Sequence, residues 1–120
     1  MKLINDMTDT TIDVGTDFSP FPGGRVRLDG PYSGEEFRDD VLVPALRQND
    51  HVQLKIDTVF GYGSSFLEEC FGGLVRTAGF TLKDLEKRLI LIQEKPGFEY
   101  YVKDIWQYII DADQRSARPS

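Results

Sequence analysis

The 120-residue sequence has little of the two residue types that most often bind metals: it contains one cysteine, Cys70, and one histidine, His51. One cysteine cannot form an intrachain disulfide, and one cysteine with one histidine cannot supply the ligands of a zinc site of the Cys/His type. No apolar run approaches the length of a membrane span, and the first residues, MKLINDMTDTT, lack the apolar core of a signal peptide. We expect a cytoplasmic protein with no metal and no cofactor.

Positive charge is also scarce, since 14 Lys and Arg residues face 20 Asp and Glu residues and the net charge is −6. The basic residues form no cluster longer than the pair Lys87 and Arg88. An acidic surface repels the phosphates of nucleic acids and of anionic lipids. We therefore expect neither a nucleic acid nor a membrane as a partner.

Length and composition indicate one folded domain. A chain of this length buries about two-thirds of its unfolded surface on folding, and an apolar fraction of 40% is ordinary for a globular protein. No internal repeat or linker divides the chain. We expect a single domain over residues 1–120, with frayed ends at about 1–8 and 115–120.

Alternation of apolar and polar residues predicts the first two strands, at 10–14 and 25–28. The loop between them contains GTDFSPFPGG, which is too rich in proline and glycine for regular structure. These segments predict an antiparallel pair of strands joined by a long loop.

A helix is predicted next, because Ser33 and Glu36 match the capping box and an apolar stripe follows them. Pro44 removes one hydrogen bond of this helix, so we expect a kink or a break there. Residues 51–57 then alternate as HVQLKID, which predicts a strand with one buried face.

A second capping box, Ser65 with Glu68, opens another helix, and Gly79 is its expected end. Three further elements follow: a short helix or turn at 81–87, an apolar strand at 88–93 that we expect at the centre of the sheet, and a last helix at about 99–114. The predicted fold class is α/β, a small sandwich in which a mixed sheet of about four strands packs against three to four helices, in the order β-β-α-β-α-(α)-β-α.

The stretch GYGSSFLEECF places Ser64 and Ser65 between a strand and a helix, where several roles are open. Ser65 fits a helix cap. The glycines favour anion binding only weakly, because no Walker A motif is present and Phe66 stands where GxGxxG needs glycine. Nucleophilic catalysis is disfavoured, because the nucleophile-elbow pattern is incomplete and His51 lies at the other end of the strand. A third role is a covalent switch, since a phosphate would add nearly two negative charges at this edge.

The proline- and glycine-rich loop carries Phe18, Phe21 and Arg25. Two phenylalanines are costly to leave in water. They either fold back onto the core or form a contact site.

Three segments, DGPYSGEEFRDDVLVPAL, VQLKID and GYGSSFLEECFGGLVR, resemble the uncharacterised bacterial STAS-like domain family over about residues 10–93. That family is related in fold to sulphate-transporter and anti-sigma-factor-antagonist (STAS) domains. In the antagonists, an Asp-Ser-Ser-Gly segment carries a serine that a histidine-kinase-like ATPase phosphorylates. The resemblance places Gly63 at the aspartate, Ser64 and Ser65 at the serines, and Phe66 at the glycine. It implies Ser65 as the phosphoacceptor, with Ser64 as the second candidate, and such an ATPase as a partner.

The resemblance and the lack of a catalytic set predict a non-catalytic regulatory domain that binds a protein and is switched by serine phosphorylation. Two alternatives stay open: a small nucleotide- or anion-binding protein that uses the glycine-rich loop, and a structural or oligomerising domain. The expected partner-binding loop comprises Asp57, Thr58, Gly61, Tyr62, Gly63, Glu68 and Glu69, and a second contact loop comprises Phe18, Phe21 and Arg25.

Overall fold

A parallel sheet forms the frame of the protein, whose computed structural model describes residues 8–117. Its strands are β1 (Asp9–Asp13), β2 (His51–Lys55) and β3 (Leu89–Ile92), in the order β1-β2-β3. Both pairings are parallel, and Ile12, Leu54 and Leu91 lie side by side across the sheet. The predicted α/β class is confirmed.

Helices follow each strand, and two of them contain a π-helical segment. Helix α1 spans 34–48 and consists of Gly34–Phe37, the π-helical Arg38–Leu42 and Val43–Gln48. Helix α2 spans 64–76 and consists of Ser64–Leu67, the π-helical Glu68–Gly72 and Gly73–Arg76. Two uninterrupted helices follow, α3 (Leu82–Arg88) and α4 (Glu99–Ala117). A π-helical turn, Val14–Phe18, and a 3-10 turn, Arg27–Asp29, lie in the long loop between β1 and α1.

The predicted strand at 25–28 does not form, so the described part of the sheet has three parallel strands and is not a mixed sheet of four. The carboxylate of Asp29 accepts hydrogen bonds from the amides of Arg25 and Val26, both at 3.0 Å. These local bonds fold the segment into a turn and occupy amides that a strand would need. Strand β1 pairs with β2 instead.

The expected central position of 88–93 is also wrong, because β2 lies in the middle and β3 lies at an edge. A continuous apolar run is typical of a strand covered on both faces. Here Leu89 is buried in the core, whereas Ile90 points the other way and is 42% exposed.

Helix α1 begins at the predicted cap, since the Ser33 hydroxyl accepts a bond from the Glu36 amide at 3.1 Å. The Glu36 carboxylate accepts from the amide of Tyr32 rather than from that of Ser33. Pro44 does not break the helix. Just before it, the Val43 amide donates to the Arg38 carbonyl five residues back, so a π-helical turn takes the place of the expected kink.

One apolar core joins the sheet to the helices. At the crossing of α1 and α2, a Cβ on Gly34 would collide with the Phe66 carbonyl, so this close approach requires glycine. Cys70 is fully buried in this core, as its place on the apolar stripe predicts, and burial raises the pKa of its thiol. The largest fully buried side chains are those of Phe37, Leu42, Leu46, Leu54, Ile56, Phe66, Leu67, Phe71, Leu74, Leu85, Ile105 and Ile109.

The turn that follows α2 closes at Gly79, the predicted stop of the helix, whose φ of 85° suits glycine. The Gly79 amide donates to the Val75 carbonyl, which is the bond of an αL cap, and the Phe80 amide donates to the Leu74 carbonyl.

The expected frayed ends fall mainly on residues 1–7 and 118–120, which lie outside the described residues. Within the described part, Thr8 is hydrogen-bonded to Asp50 and α4 continues to Ala117. No helix among residues 8–117 is both long and apolar enough to cross a membrane.

Candidate functional site

The candidate site lies at the carboxyl edge of the sheet, where the segment 56–63 leads from β2 to α2. Asp57 opens this segment and is buried. One of its oxygens accepts the amides of Glu94 at 2.7 Å and Lys95 at 2.8 Å. Burial acts to raise the pKa of Asp57, but backbone hydrogen bonds, these two foremost, and the charge of Lys55 together outweigh it, and the pKa lies below its ordinary value. Asp57 thus fixes the segment to the chain that follows β3.

Thr58 fixes the same segment to the end of β1. Its hydroxyl donates to the Asp13 carboxylate at 2.5 Å and accepts the Gly15 amide at 2.8 Å. The bond from Thr58 is the largest contribution to the lowered pKa of Asp13. A Cβ on Gly15 would collide with the Thr58 carbonyl, so the two chain segments meet closely only because residue 15 is glycine.

Tyr62 closes the segment against the core. Its hydroxyl donates to the Ile56 carbonyl at 2.7 Å, and its ring lies against Phe66 and Tyr101. Burial raises the pKa of this phenol. Gly61 lies beside the Tyr101 hydroxyl, where an added Cβ would sit 3.2 Å away. Of the predicted partner-binding residues, Asp57, Thr58 and Tyr62 therefore hold the segment in place.

Phe60, which sequence reasoning missed, is the most exposed aromatic side chain of the described residues, at 79%. It stacks on Phe21, which is 67% exposed, with ring centroids 4.6 Å apart and an interplanar angle of 4°. The Phe60 amide also donates to the Pro20 carbonyl at 2.9 Å. We call these two residues the Phe pair. The only signal in the sequence was a bulky aromatic residue between Val59 and Gly61.

The two phenylalanines of the proline- and glycine-rich loop have different fates. Phe18 folds back onto the core, where its ring contacts Tyr32, Phe37 and Phe66. Phe21 is exposed in the Phe pair. The first sequence-based alternative therefore describes Phe18, and the contact site stays a prediction for Phe21.

Ser64 and Ser65 are exposed and occupy the first two positions of α2. The capping box of Ser65 with Glu68 does not form, because the helix begins earlier: Gly63 is the cap residue, in an extended conformation, with no side-chain hydrogen bond. Among the described residues, neither serine hydroxyl has a hydrogen-bond partner. Both hydroxyls are therefore free of the structural role that the sequence pattern predicted for Ser65.

Glu68 and Glu69 belong to a network that we call the Arg–Glu cluster, with Arg25, Arg38 and Arg76. Glu68 pairs with Arg25 at 2.5 Å and with Arg76 at 2.7 Å, and Glu69 pairs with Arg38 at 2.6 Å. Arg25 and Arg76 also approach Glu69, at 3.6 and 3.9 Å. Burial acts to raise the pKa of Glu68, but the two arginines outweigh it and the pKa is lowered. Glu68 therefore stays charged at neutral pH.

Arg38 is the buried member of the cluster, with 3% of its side chain exposed. It donates to the carboxylate and carbonyl of Glu69 and to the Asp39 carboxylate. A Cβ on Gly73 would collide with its guanidinium. Sequence reasoning missed Arg38 and Arg76, because their glutamate partners lie on other turns or elements and no local sequence pattern predicts these pairs.

His51 and the two serines lie at opposite ends of β2. His51 begins β2 and its Nδ1 is 2.9 Å from the Asp9 carboxylate, whereas the serines follow the opposite end of that strand. No group of three His, Cys, Asp or Glu residues within residues 8–117 could hold a metal ion.

The sequence profile of the family described as the STAS-like domain of unknown function (DUF4325) matches residues 33–97, more than half of the chain. The chain belongs to this family. The resemblance inferred from the sequence is thereby confirmed. No curated protein and no solved structure gives a significant match.

The matched part of this STAS-like domain runs from Ser33, the cap of α1, to Gly97, just before α4. It contains both serines, Phe60 and four of the five members of the Arg–Glu cluster. Phe21 and Arg25 precede it. The loop between β1 and α1 therefore contributes contacts that the family profile does not cover.

Proposed function

We propose that this STAS-like domain is a non-catalytic regulatory domain that binds a protein partner through the Phe pair, and that phosphorylation of Ser65 or Ser64 controls this binding. The observation that carries the proposal is the placement of two unpaired serine hydroxyls within five residues of an exposed, stacked aromatic pair. The Phe pair, an apolar contact surface, and the two serines, which a kinase can modify, therefore lie at the same edge of the sheet.

The Phe pair supplies the contact. Exposed aromatic residues that leave water on association are enriched among the residues that dominate binding energy. Asp13 and Asp17 lie at the same edge, and neither forms an ion pair with another described residue. The partner that fits is a protein with an apolar pocket for the two rings and with lysine or arginine side chains beside it.

Phosphorylation supplies the control. A kinase would transfer the γ-phosphoryl group of ATP to a serine oxygen, so that the new O–P bond replaces the bond to ADP and the hydroxyl proton passes to a base of the kinase. The product carries nearly two negative charges beside the Phe pair. Because neither hydroxyl caps α2, modification breaks no hydrogen bond of the helix start. The candidate kinase is a histidine-kinase-like ATPase that acts on serine, as the resemblance to anti-sigma-factor antagonists suggests.

The test uses purified ATPases of this class encoded near the protein, mixed with the full chain and ATP. We expect phosphate at Ser65 or Ser64 by mass spectrometry, and none in a variant with both serines changed to alanine. Affinity for the same ATPase should fall at least tenfold in Phe60→Ser, while Leu28→Ser, which changes another exposed apolar residue, leaves it unchanged. No phosphate on either serine, together with equal affinity of both variants, would refute the proposal.

A further inference from the structure

Arg25 contacts α2 through Glu68 and Glu69, two residues that are separated from Ser65 by helical spacings. Its guanidinium pairs with Glu68 at 2.5 Å and reaches Glu69 at 3.6 Å. Ser65 is three residues before Glu68 and four before Glu69, the two spacings that bring helical side chains together. Helical side chains also lean toward the amino end of their helix, so both glutamates carry Arg25 toward Ser65. Ser64 shares such a spacing with Glu68 alone, so the spacing favours Ser65 over Ser64 as the serine within reach of Arg25.

Arg25 is also the member of the Arg–Glu cluster that is able to change partner. If it left, Glu68 would keep Arg76 at 2.7 Å and Glu69 would keep Arg38 at 2.6 Å. Arg38 is buried and held by several bonds, and Arg76 reaches Glu68 from the carboxyl-terminal side of α2, eleven residues beyond Ser65, whereas Arg25 belongs to a separate loop. The side chain of Arg25 is 41% exposed. No carboxylate of the cluster loses its last cation when Arg25 moves.

We propose that Arg25 binds the phosphate of phosphorylated Ser65, exchanging its carboxylate partner Glu68 for the phosphate. This inference rests on the proposed function, since it requires that Ser65 is phosphorylated, with ATP as the phosphoryl donor and ADP as the leaving group. It assigns Arg25 as the residue that recognises the phosphoserine. Arg25 lies outside the part of the chain that the family profile covers.

Charge favours this exchange. A phosphate on Ser65 would lie one turn from two carboxylates, Glu68 and Glu69, and would be repelled by both. A guanidinium bound to the phosphate offsets that repulsion, and its planar fork binds phosphate oxygens with two parallel hydrogen bonds. The start of a helix is also a favourable place for negative charge.

The backbone of Arg25 is fixed, so the exchange moves a side chain only. Its amide donates to the Asp29 carboxylate at 3.0 Å, and its carbonyl accepts the amide of Glu35 at 3.0 Å. Phe21 precedes it by four residues in the same loop. The phosphorylated serine would thereby be bound to the loop that carries half of the Phe pair.

The test measures the second pKa of the phosphate by ³¹P NMR titration, on the full chain with phosphoserine placed at residue 65 by translational incorporation. We expect this pKa to be lower in the otherwise unchanged protein than in Arg25→Gln by about half a unit or more, because an adjacent cation favours the dianion. Arg27→Gln is the matched control, since Arg27 pairs with Asp40 and not with the cluster. It should leave the pKa unchanged. Arg25→Lys keeps the charge but loses the fork, and should give an intermediate value.

Equal pKa values in the unchanged protein and in Arg25→Gln, both folded by circular dichroism, would overturn the inference, as would an equal rise in Arg27→Gln. The measurement needs no partner. A pKa that depends on Arg25, with partner affinity insensitive to phosphorylation, would refute the proposed function and support the inference. A partner affinity that depends on phosphorylation, with a phosphate pKa insensitive to Arg25, would support the proposed function and refute the inference.

Discussion

Phe21 lies parallel to Phe60, and their stacked rings join two loops while most of both side chains faces solvent. Because little area is buried, the pair contributes little to folding, and an aromatic pair is worth about 0.5–1.5 kcal/mol beyond its burial. Phe60→Ala should therefore lower the free energy of unfolding by less than about 1.5 kcal/mol in a denaturant titration. Phe37→Ala removes a fully buried ring and should cost about 3–5 kcal/mol. Similar losses in both variants would show that Phe60 is a core residue.

Ser33 and Ser65 provide a matched pair of substitutions. The buried hydroxyl of Ser33 accepts the Glu36 amide, so Ser33→Ala should destabilise the protein by about 1 kcal/mol or more. Ser65 occupies the second position of α2, its hydroxyl bonds to no described residue, and Ser65→Ala should change stability by less than about 0.5 kcal/mol. Thermal unfolding of the two variants side by side measures the difference. A larger loss in Ser65→Ala would contradict the cap at Gly63.

The same pair shows what local sequence can and cannot predict. Both serines are followed three residues later by glutamate, and only Ser33 caps a helix. The pattern identifies the start of a helix to within two residues, but it does not identify the residue that caps it. The glycine ahead of Ser64 adopts the extended cap conformation, and the serines shift into the helix. The α/β class, the glycine at residue 79 and the burial of Cys70 were predictable, since each depends on short-range pattern.

Long-range polar contacts were not predictable, because no spacing rule connects them. Arg25 and Glu68 are 43 residues apart in the chain, and Asp57 and Lys95 are 38 apart. The strand predicted at 25–28 also failed because of a polar contact. Apolar and polar residues do alternate there, but the carboxylate of Asp29 accepts hydrogen bonds from two of the backbone amides. Exposure of Phe60 also depends on where another loop lies.

Gly15 and Gly23 predict opposite responses to the same substitution. A Cβ at residue 15 would strike the Thr58 carbonyl, so Gly15→Ala should destabilise the domain by more than about 1 kcal/mol. Gly23 has open space around it, and Gly23→Ala should be neutral or stabilising by up to about 1 kcal/mol. The midpoints of urea-induced unfolding of the two variants measure this difference in stability. Equal midpoints would mean that β1 and the segment after β2 separate freely.

Because of Asp57, the free energy of unfolding should fall at acidic pH. The folded-state pKa of Asp57 lies below the ordinary value, so its charged form stabilises the fold above that ordinary value and the contribution is lost as pH falls toward the folded pKa. Asp57→Ala leaves two amides without their acceptor and should cost about 2–3 kcal/mol at pH 7.

Asp57→Asn is the control for charge, because its carbonyl oxygen can still accept both amides. We expect a smaller loss at pH 7, with a shallower decline of stability between about pH 5 and pH 3 than in the unchanged protein. Denaturant titrations across this range give both slopes. Parallel slopes would show that Asp57 does not stay charged in the folded state.

The order of the parallel sheet also governs when the protein folds during synthesis. Strand β1 leaves the ribosome first, but its pairing partner begins only at residue 51, and β2 gains its second neighbour only when residues 89–92 have emerged. Each pairing closes a long loop before it returns any stabilisation, which slows folding. Nascent chains that end before residue 89 therefore present β2 with one edge unpaired, and a chain caught at that length is the form most exposed to aggregation and proteolysis.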